Sequence, residues 1–230
     1  MSRKLTASLL ITAAVLANAA FTALGSIFNY PDVLDEPAAD VLATFRVHEG
    51  AISVWFAVLA LSAALLAPIA IGVGRLSAHR AMRLAVKVGV AAAAVQVVGL
   101  LRWPILVPGY AADNDTDAYG TAGDVLGTAI GETLGYALTA AWTALVIAAL
   151  GRRFAGRWFM FLGGAAAALV AVGVLSPLDL PAVDEANFLG YVLYSLWLIT
   201  FGVVLLVRER RVARAPADAG RGVARSPDAS

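Results

Sequence analysis

The sequence predicts an all-α, polytopic membrane protein: a bundle of six transmembrane helices with both termini in the cytoplasm. Hydrophobic residues make up 60% of the 230 residues and charged residues only 14%, whereas soluble domains carry about 25% charged residues. The chain also contains six apolar runs of roughly 20 residues, the length that crosses about 30 Å of hydrocarbon. Finally, basic and acidic residues alternate along the chain in separate short segments.

The six apolar runs are predicted to be helices, because backbone groups in lipid must find hydrogen-bond partners within their own segment. In chain order they are Leu5–Phe28, Ala51–Val73, Lys87–Val107, Val125–Leu150, Phe159–Leu178 and Asn187–Val207. The first run follows Arg3 and Lys4 and contains Ala17-Asn18-Ala19, a combination similar to a signal peptide with its cleavage site. Since the run continues to Phe28, we expect a retained transmembrane helix.

The basic residues predict the orientation, because Lys and Arg in short loops mark the cytoplasmic side. All of them except Arg46 and Arg102 lie in four segments, at residues 3–4, 75–87, 152–157 and 208–225. These segments, together with both termini, are therefore predicted to lie inside. Their positive charge reports orientation, so it does not indicate a nucleic-acid partner.

The chain is predicted to divide into a transmembrane domain at residues 1–212 and a disordered cytoplasmic tail at residues 213–230. The tail is rich in Ala, Arg, Pro, Gly and Asp, a composition that cannot bury enough apolar surface to fold. The bias towards Ala, Val, Gly and Arg is typical of a GC-rich bacterial genome. We therefore expect a multi-pass protein of a bacterial cytoplasmic membrane.

Two further patterns bear on the architecture. The segment Pro37–His48 is amphipathic, and its apolar residues would lie on the membrane surface or fold back over the bundle. The segments Glu132–Trp142 and Asn187–Trp197 share Leu, Gly, Tyr, Leu and Trp in register. Two explanations are possible. The hairpin of spans three and four is related to the hairpin of spans five and six, or the identities arise by chance in apolar sequence.

Several classes of chemistry are excluded or disfavoured by residue type. The chain has no cysteine and only two histidines, so it lacks thiolate ligands and cannot build a histidine-rich metal site. It contains no Walker loop, zinc-protease motif, nucleophile elbow or dinucleotide fingerprint. We therefore predict no cofactor and no metal, and ATP-driven transport by this chain alone is disfavoured.

Arg102 and Glu132 are the two charges that interrupt the apolar runs, and we predict both near the outer end of the bundle. Ionisable residues within a membrane face the bundle interior, pair with one another or mark functional sites. Two interpretations follow, a structural ion pair or a pair that contacts a ligand. Glycines at 127, 131 and 135 predict close helix packing nearby, either inside the monomer or in a dimer.

Other polar side chains are expected on the same side as this pair. Tyr136 lies one turn after Glu132, and Tyr191 lies one turn after Asn187, so each pair shares a helix face. The remaining candidates precede the second span: Arg46, His48 and Glu49. Together these side chains would line an outward-facing vestibule suited to acid–base chemistry or anion recognition, unless they are ordinary interfacial polarity.

Four segments together are typical of one known family. They read GLLRWPILVP at Gly99–Pro108, IGETLGY at Ile130–Tyr136, NFLGY at Asn187–Tyr191 and FNYPDVL at Phe28–Leu34. In these segments the chain resembles a bacterial integral membrane family catalogued as domain of unknown function 4386. The resemblance covers almost the whole chain apart from the tail. It implies a six-helix bundle and supplies no activity.

Three functions are consistent with these residues. The leading one is binding or transport of a small amphipathic or anionic ligand, with Arg102 contacting the ligand and Glu132 holding Arg102 or exchanging a proton. The second is a membrane-embedded enzyme that acts on a lipid or isoprenoid, with Glu132 and His48 as the acid–base pair. The third is a structural or regulatory membrane partner. Membrane lipid is an expected partner in each case, and the oligomeric state is left open.

Overall fold

A computed structural model describes residues 1–223 of the chain, with side chains for residues 1–210. Regular structure in this part of the chain is entirely helical. Six spans are long and apolar enough to cross a membrane, which confirms the predicted six-helix membrane bundle. The side of the membrane on which each end lies stays a prediction.

The first two spans are joined by an ordered connection. The first span is α1 (Arg3–Phe28), which begins where the Ser2 hydroxyl accepts a hydrogen bond from the backbone N–H of Leu5 at 3.2 Å. A 3₁₀ helix (Asp32–Asp35) and α2 (Ala38–Val47) follow. The second span consists of α3 (Glu49–Ala64) and α4 (Leu66–Gly74). It breaks at Leu65 because Pro68 has no N–H to donate to the preceding turn.

The third and fourth spans are also interrupted. The third contains α5 (Arg80–Ile105) and α6 (Val107–Asp113), which meet at Leu106 between two prolines. The fourth contains α7 (Thr116–Ala122), a π-helix (Gly123–Leu134) and α8 (Gly135–Leu150). Both interruptions fall in the half of the bundle that carries Arg102 and Glu132.

The fifth span is α9 (Arg152–Val172) with a 3₁₀ turn (Gly173–Leu178), and the sixth lies in α10 (Val183–Val223). Ala155 and Gly156 have non-helical backbone angles, so the regular part of α9 begins after them. The structure describes α10 as far as Val223, and residues 224–230 lie outside the described residues. The division into a transmembrane domain and a disordered tail at 213–230 therefore stays a prediction.

The six spans form a closed ring. Each span packs against the next in sequence, and the sixth packs against the first. Neighbouring spans are antiparallel, because the connections that join successive spans lie alternately at the two ends of the ring. One end of the ring carries the acidic connections at residues 29–48, 113–124 and 179–185, and we call it the acidic end; the other carries the basic segments and is the basic end.

The acidic end is covered by α2, which folds back over the bundle. Val41, Leu42 and Phe45 are each at most 1% exposed. Phe45 packs edge-on against Phe28 and lies 6.1 Å from the ring of Trp103. The segment Pro37–His48 therefore folds back over the bundle, which is one of the two arrangements predicted from its sequence.

Equivalent contacts recur in the third–fourth and fifth–sixth pairs of spans. Gly89 lies against the indole of Trp142, and Gly163 lies against the indole of Trp197. About two turns later, Gln96 packs on Gly135, and Val170 packs on Gly190. The two sets are offset by the same number of residues within each helix, which favours related hairpins over chance identity.

Candidate functional site

The site is built where α5 crosses the π-helix close to the acidic end. A Cβ at Gly99 of α5 would lie only 2.6 Å from the Cα of Gly131, so the two backbones are in contact. On either side of this crossing, Gly127 faces Arg102 and Gly135 faces Gln96. The predicted glycine series therefore packs inside the chain, where it brings Arg102 and the π-helix together.

Arg102 is buried but poorly hydrogen-bonded. Its side chain is 9% exposed, and its guanidinium carbon lies 5.3 Å from the centre of the Trp103 ring. Nη1 donates to the carbonyl oxygen of Gly99 at 3.3 Å, whereas the buried Nε has no partner among the described residues. A guanidinium has five N–H donors, and burying a charge without partners is unfavourable. The site is therefore suited to an additional acceptor.

Glu132 lies on the π-helix and is half-buried. Among the described side chains, Arg102 and Glu132 form neither an ion pair nor a hydrogen bond. A direct structural salt bridge, one of the two interpretations of the sequence, is thus not what the structure contains. Both residues nevertheless flank the contact between Gly99 and Gly131, and the charges of both act on one neighbouring phenol.

That phenol belongs to Tyr30, which sequence reasoning did not nominate. Burial raises the pKa of Tyr30 above the usual phenol value, the negative charge of Glu132 raises it further, and the positive charge of Arg102 opposes the rise. The phenol therefore stays protonated at neutral pH and can donate a hydrogen bond. Asn29, whose φ of 52° is left-handed, turns the chain back at the end of α1. The sequence signal that could have identified Tyr30 is the family-like segment FNYPDVL at Phe28–Leu34, which contains this tyrosine.

Tyr136, Tyr191 and Asn187 lie together beside this cluster. The rings of Tyr136 and Tyr191 are 5.7 Å apart. Asn187 is 7% exposed and donates from Nδ2 to the carbonyl oxygen of Val170 at 3.1 Å. Gly173 allows this arrangement, because a Cβ there would overlap Asn187 and Tyr136. These three predicted residues extend the polar cluster to the fifth and sixth spans.

Arg46, His48 and Glu49 occupy a different part of the acidic end. All three are exposed. Arg46 Nη1 donates to the carbonyl oxygen of Ala111 at 2.8 Å and lies 3.4 Å from Oδ1 of Asn114, so it holds the end of α6. No contact described in the structure joins His48 or Glu49 to Arg102. The eight predicted residues therefore divide into a cluster of five buried or half-buried residues and an exposed group of three.

Aromatic side chains fill the bundle on the basic side of the polar cluster. The Trp142 and Trp197 rings are 5.8 Å apart, Phe159 lies 5.2 Å from Trp197, and Phe201 lies 5.1 Å from Phe159. Each of these four side chains is at most 2% exposed. This packed aromatic layer separates the polar cluster from the basic end. The arrangement suits a one-sided binding site rather than an open pore.

Within the described residues, no His, Asp or Glu side chains are grouped in threes to hold a metal ion. The N–H donors of Arg102 can pair with a small anion, since a guanidinium binds carboxylate or phosphate through parallel N–H···O bonds.

The comparisons with known proteins identify a family without supplying an activity. A family model described as "Domain of unknown function (DUF4386)" matches residues 5–207. No curated protein and no solved structure matches the chain.

Proposed function

Because the chain belongs to this family of unknown function, we propose a function from its own residues: it binds the anionic head of a small amphipathic molecule at Arg102. The observation that carries the proposal is the buried guanidinium with an unpartnered Nε. We place the protein in a bacterial cytoplasmic membrane with its basic end inside, as the charge pattern predicts. The ligand would then be bound in the outer half of the bundle.

The geometry of Arg102 supports a bidentate contact. Nη1 is engaged by Gly99, whereas Nε has no partner among the described residues and is buried, so the side chains around it must move for a ligand to reach the edge formed by Nε and Nη2. A carboxylate or phosphate accepts two parallel hydrogen bonds from such an edge.

Glu132 supplies the charge balance in this proposal. A ligand anion at Arg102 would face the Glu132 carboxylate across the same cluster, and like charges repel most strongly where water is excluded. An ionised Glu132 would therefore oppose anion binding, and a protonated Glu132 would not. Affinity for the anion then falls as pH rises, and a Glu132→Gln variant, which is neutral at every pH, loses this dependence.

The test uses purified protein in phosphatidylcholine nanodiscs, with decanoate and decanol as matched probes. We expect decanoate to raise the unfolding temperature and decanol to leave it unchanged. A ligand at 100 times its Kd raises the free energy of unfolding of the protein by about 2.7 kcal/mol. Arg102→Gln should lose most of the decanoate effect, because the two parallel donors are gone.

Arg46→Gln is the matched control, since Arg46 is an exposed arginine at the same end. It should keep the response to decanoate. Equal stabilisation of wild type and Arg102→Gln by decanoate would contradict the proposal, as would equal responses of wild type to decanoate and decanol.

The enzyme and partner alternatives stay predictions with less support. The enzyme hypothesis pairs Glu132 with His48, and His48 is exposed at the start of α3 rather than within the buried cluster. The aromatic layer beside the cluster also favours binding over conduction, so transport would need a rearrangement of Trp142 and Trp197.

A further inference from the structure

A concave surface lies between the fourth and fifth spans on the outside of the ring. It is a groove of about 630 Å³ between α8 and α9. Its lining consists almost entirely of small apolar residues, including Ala137, Ala141, Ala144, Ala148, Gly164 and Ala168. A Cβ at Gly164 would meet no atom within 4 Å, so the groove is open at that point.

The length of the groove matches the thickness of the hydrocarbon in one leaflet. From Ala137 to Ala148 it follows α8 for about 16 Å at a rise of about 1.5 Å per residue. That length is roughly half of the ~30 Å hydrocarbon core. Since α8 ends at Leu150, the groove lies in the half of the membrane next to the basic end. Its apolar lining matches an acyl chain of that leaflet.

Positive charge is concentrated at the basic end of this groove. Arg152 and Arg153 follow α8, Arg157 begins the regular part of α9, and all three are exposed. Arg157, Phe161, Gly164 and Ala168 are spaced three or four residues apart, so they share one face of the helix. Arg157 therefore lies on the face of α9 that lines the groove, two turns from Gly164 towards the basic end.

The loop that carries these arginines is held in place by its backbone. Arg208 donates to the carbonyl oxygens of Arg153 and Phe154 and stacks on the Phe154 ring at 4.7 Å. These contacts use main-chain acceptors and leave the side chains of Arg152 and Arg153 exposed. Trp158, which is 81% exposed, adds an aromatic ring of the kind enriched at membrane–water interfaces.

We propose that this groove binds an anionic phospholipid of the leaflet at the basic end, with one acyl chain on the alanines and the phosphate at Arg153 and Arg157. Charge complementarity selects this occupant. A second copy of the chain would bring its own arginines against the first set, and like charges oppose association. A zwitterionic lipid is attracted less, because its ammonium group offsets the phosphate.

The test exchanges purified protein into phosphatidylcholine nanodiscs containing a small fraction of phosphatidylglycerol, then identifies retained lipid by native mass spectrometry. We expect one phosphatidylglycerol per chain in preference to phosphatidylcholine. The double variant Arg153→Gln/Arg157→Gln should retain roughly 25-fold less, since each basic residue near an anionic membrane surface contributes about a factor of five. Gly164→Leu should also reduce retention, because its side chain fills the groove.

Two control variants distinguish the groove from the basic surface in general. Arg80→Gln/Lys87→Gln removes the same charge from exposed positions at the basic end. Gly120→Leu adds a leucine at another glycine whose Cβ would meet nothing within 4 Å. Both should retain phosphatidylglycerol as wild type does. An equal loss in the controls, equal retention of the two lipids by wild type, or recovery of a lipid-free dimer would overturn the proposal.

Discussion

At the scale of single residues, Arg102 depends on the glycine opposite it. The guanidinium lies directly over the backbone of Gly127, and a Cβ at that position would overlap it. The glycine thus makes room for a charge that the apolar bundle would otherwise exclude. Burial of Arg102 is for this reason a property of the helix crossing, and the crossing depends on the neighbouring contact between Gly99 and Gly131.

Gly99→Ala should destabilise the protein. Its new Cβ would fall 2.6 Å from the Cα of Gly131 and 2.8 Å from the carbonyl oxygen of Leu126, and these backbone atoms cannot move aside as a flexible side chain can. Overpacking of this kind costs about 1–3 kcal/mol, measurable by thermal unfolding in detergent. Gly120→Ala, with open space around it, should be neutral or stabilising. A Gly99→Ala protein as stable as wild type would show that the crossing is looser than described.

At the scale of elements, the π-helix and α2 shape the site together. The π-helix (Gly123–Leu134) carries Gly127, Gly131 and Glu132, so the wider turns of this element place both the packing glycines and the carboxylate. π-Helical turns occur frequently at functional sites. The helix α2 contributes Phe45 to the aromatic residues that enclose Trp103, the neighbour of Arg102 in α5.

Phe45→Ala should release α2 from the bundle. Phe45 is fully buried and packs against Phe28 and Trp103, and removal of a buried phenylalanine side chain costs about 3–5 kcal/mol. Hydrogen exchange should accelerate throughout α2, while the spans keep their protection. Val47→Ala, at a position that is 72% exposed, should leave exchange unchanged. Unaltered exchange of α2 in Phe45→Ala would mean that other contacts hold this helix.

At the scale of the whole molecule, the charge pattern predicts which end faces the cytoplasm. The natural sequence contains no cysteine, so single cysteines can be introduced without background. Thr44→Cys, on α2 at the acidic end, should react with a membrane-impermeant maleimide in intact cells. Ala78→Cys, in the basic connection before α5, should react only after the membrane is permeabilised. The reverse pattern would invert the orientation and move Arg102 to the cytoplasmic side.

Hydropathy was sufficient to predict the architecture, because it acts locally. The six spans follow directly from it. The approach of Tyr30 to Arg102 and Glu132 was not predictable, since it depends on how the chain returns after α1. Arg46 was predicted beside Arg102 from its place in the chain, yet it caps α6, because a long connection allows residues at one end of a bundle to lie well apart.

The closed ring has a consequence for how the protein is made. Gly202 of the sixth span packs against Ile11 and the carbonyl oxygen of Ala7 in the first span, so the earliest segment to be synthesised has the latest as its neighbour. Domains are built from the amino terminus onward during translation. Part of the contact surface of the first helix therefore stays exposed to lipid until the last helix has been inserted and the ring can close.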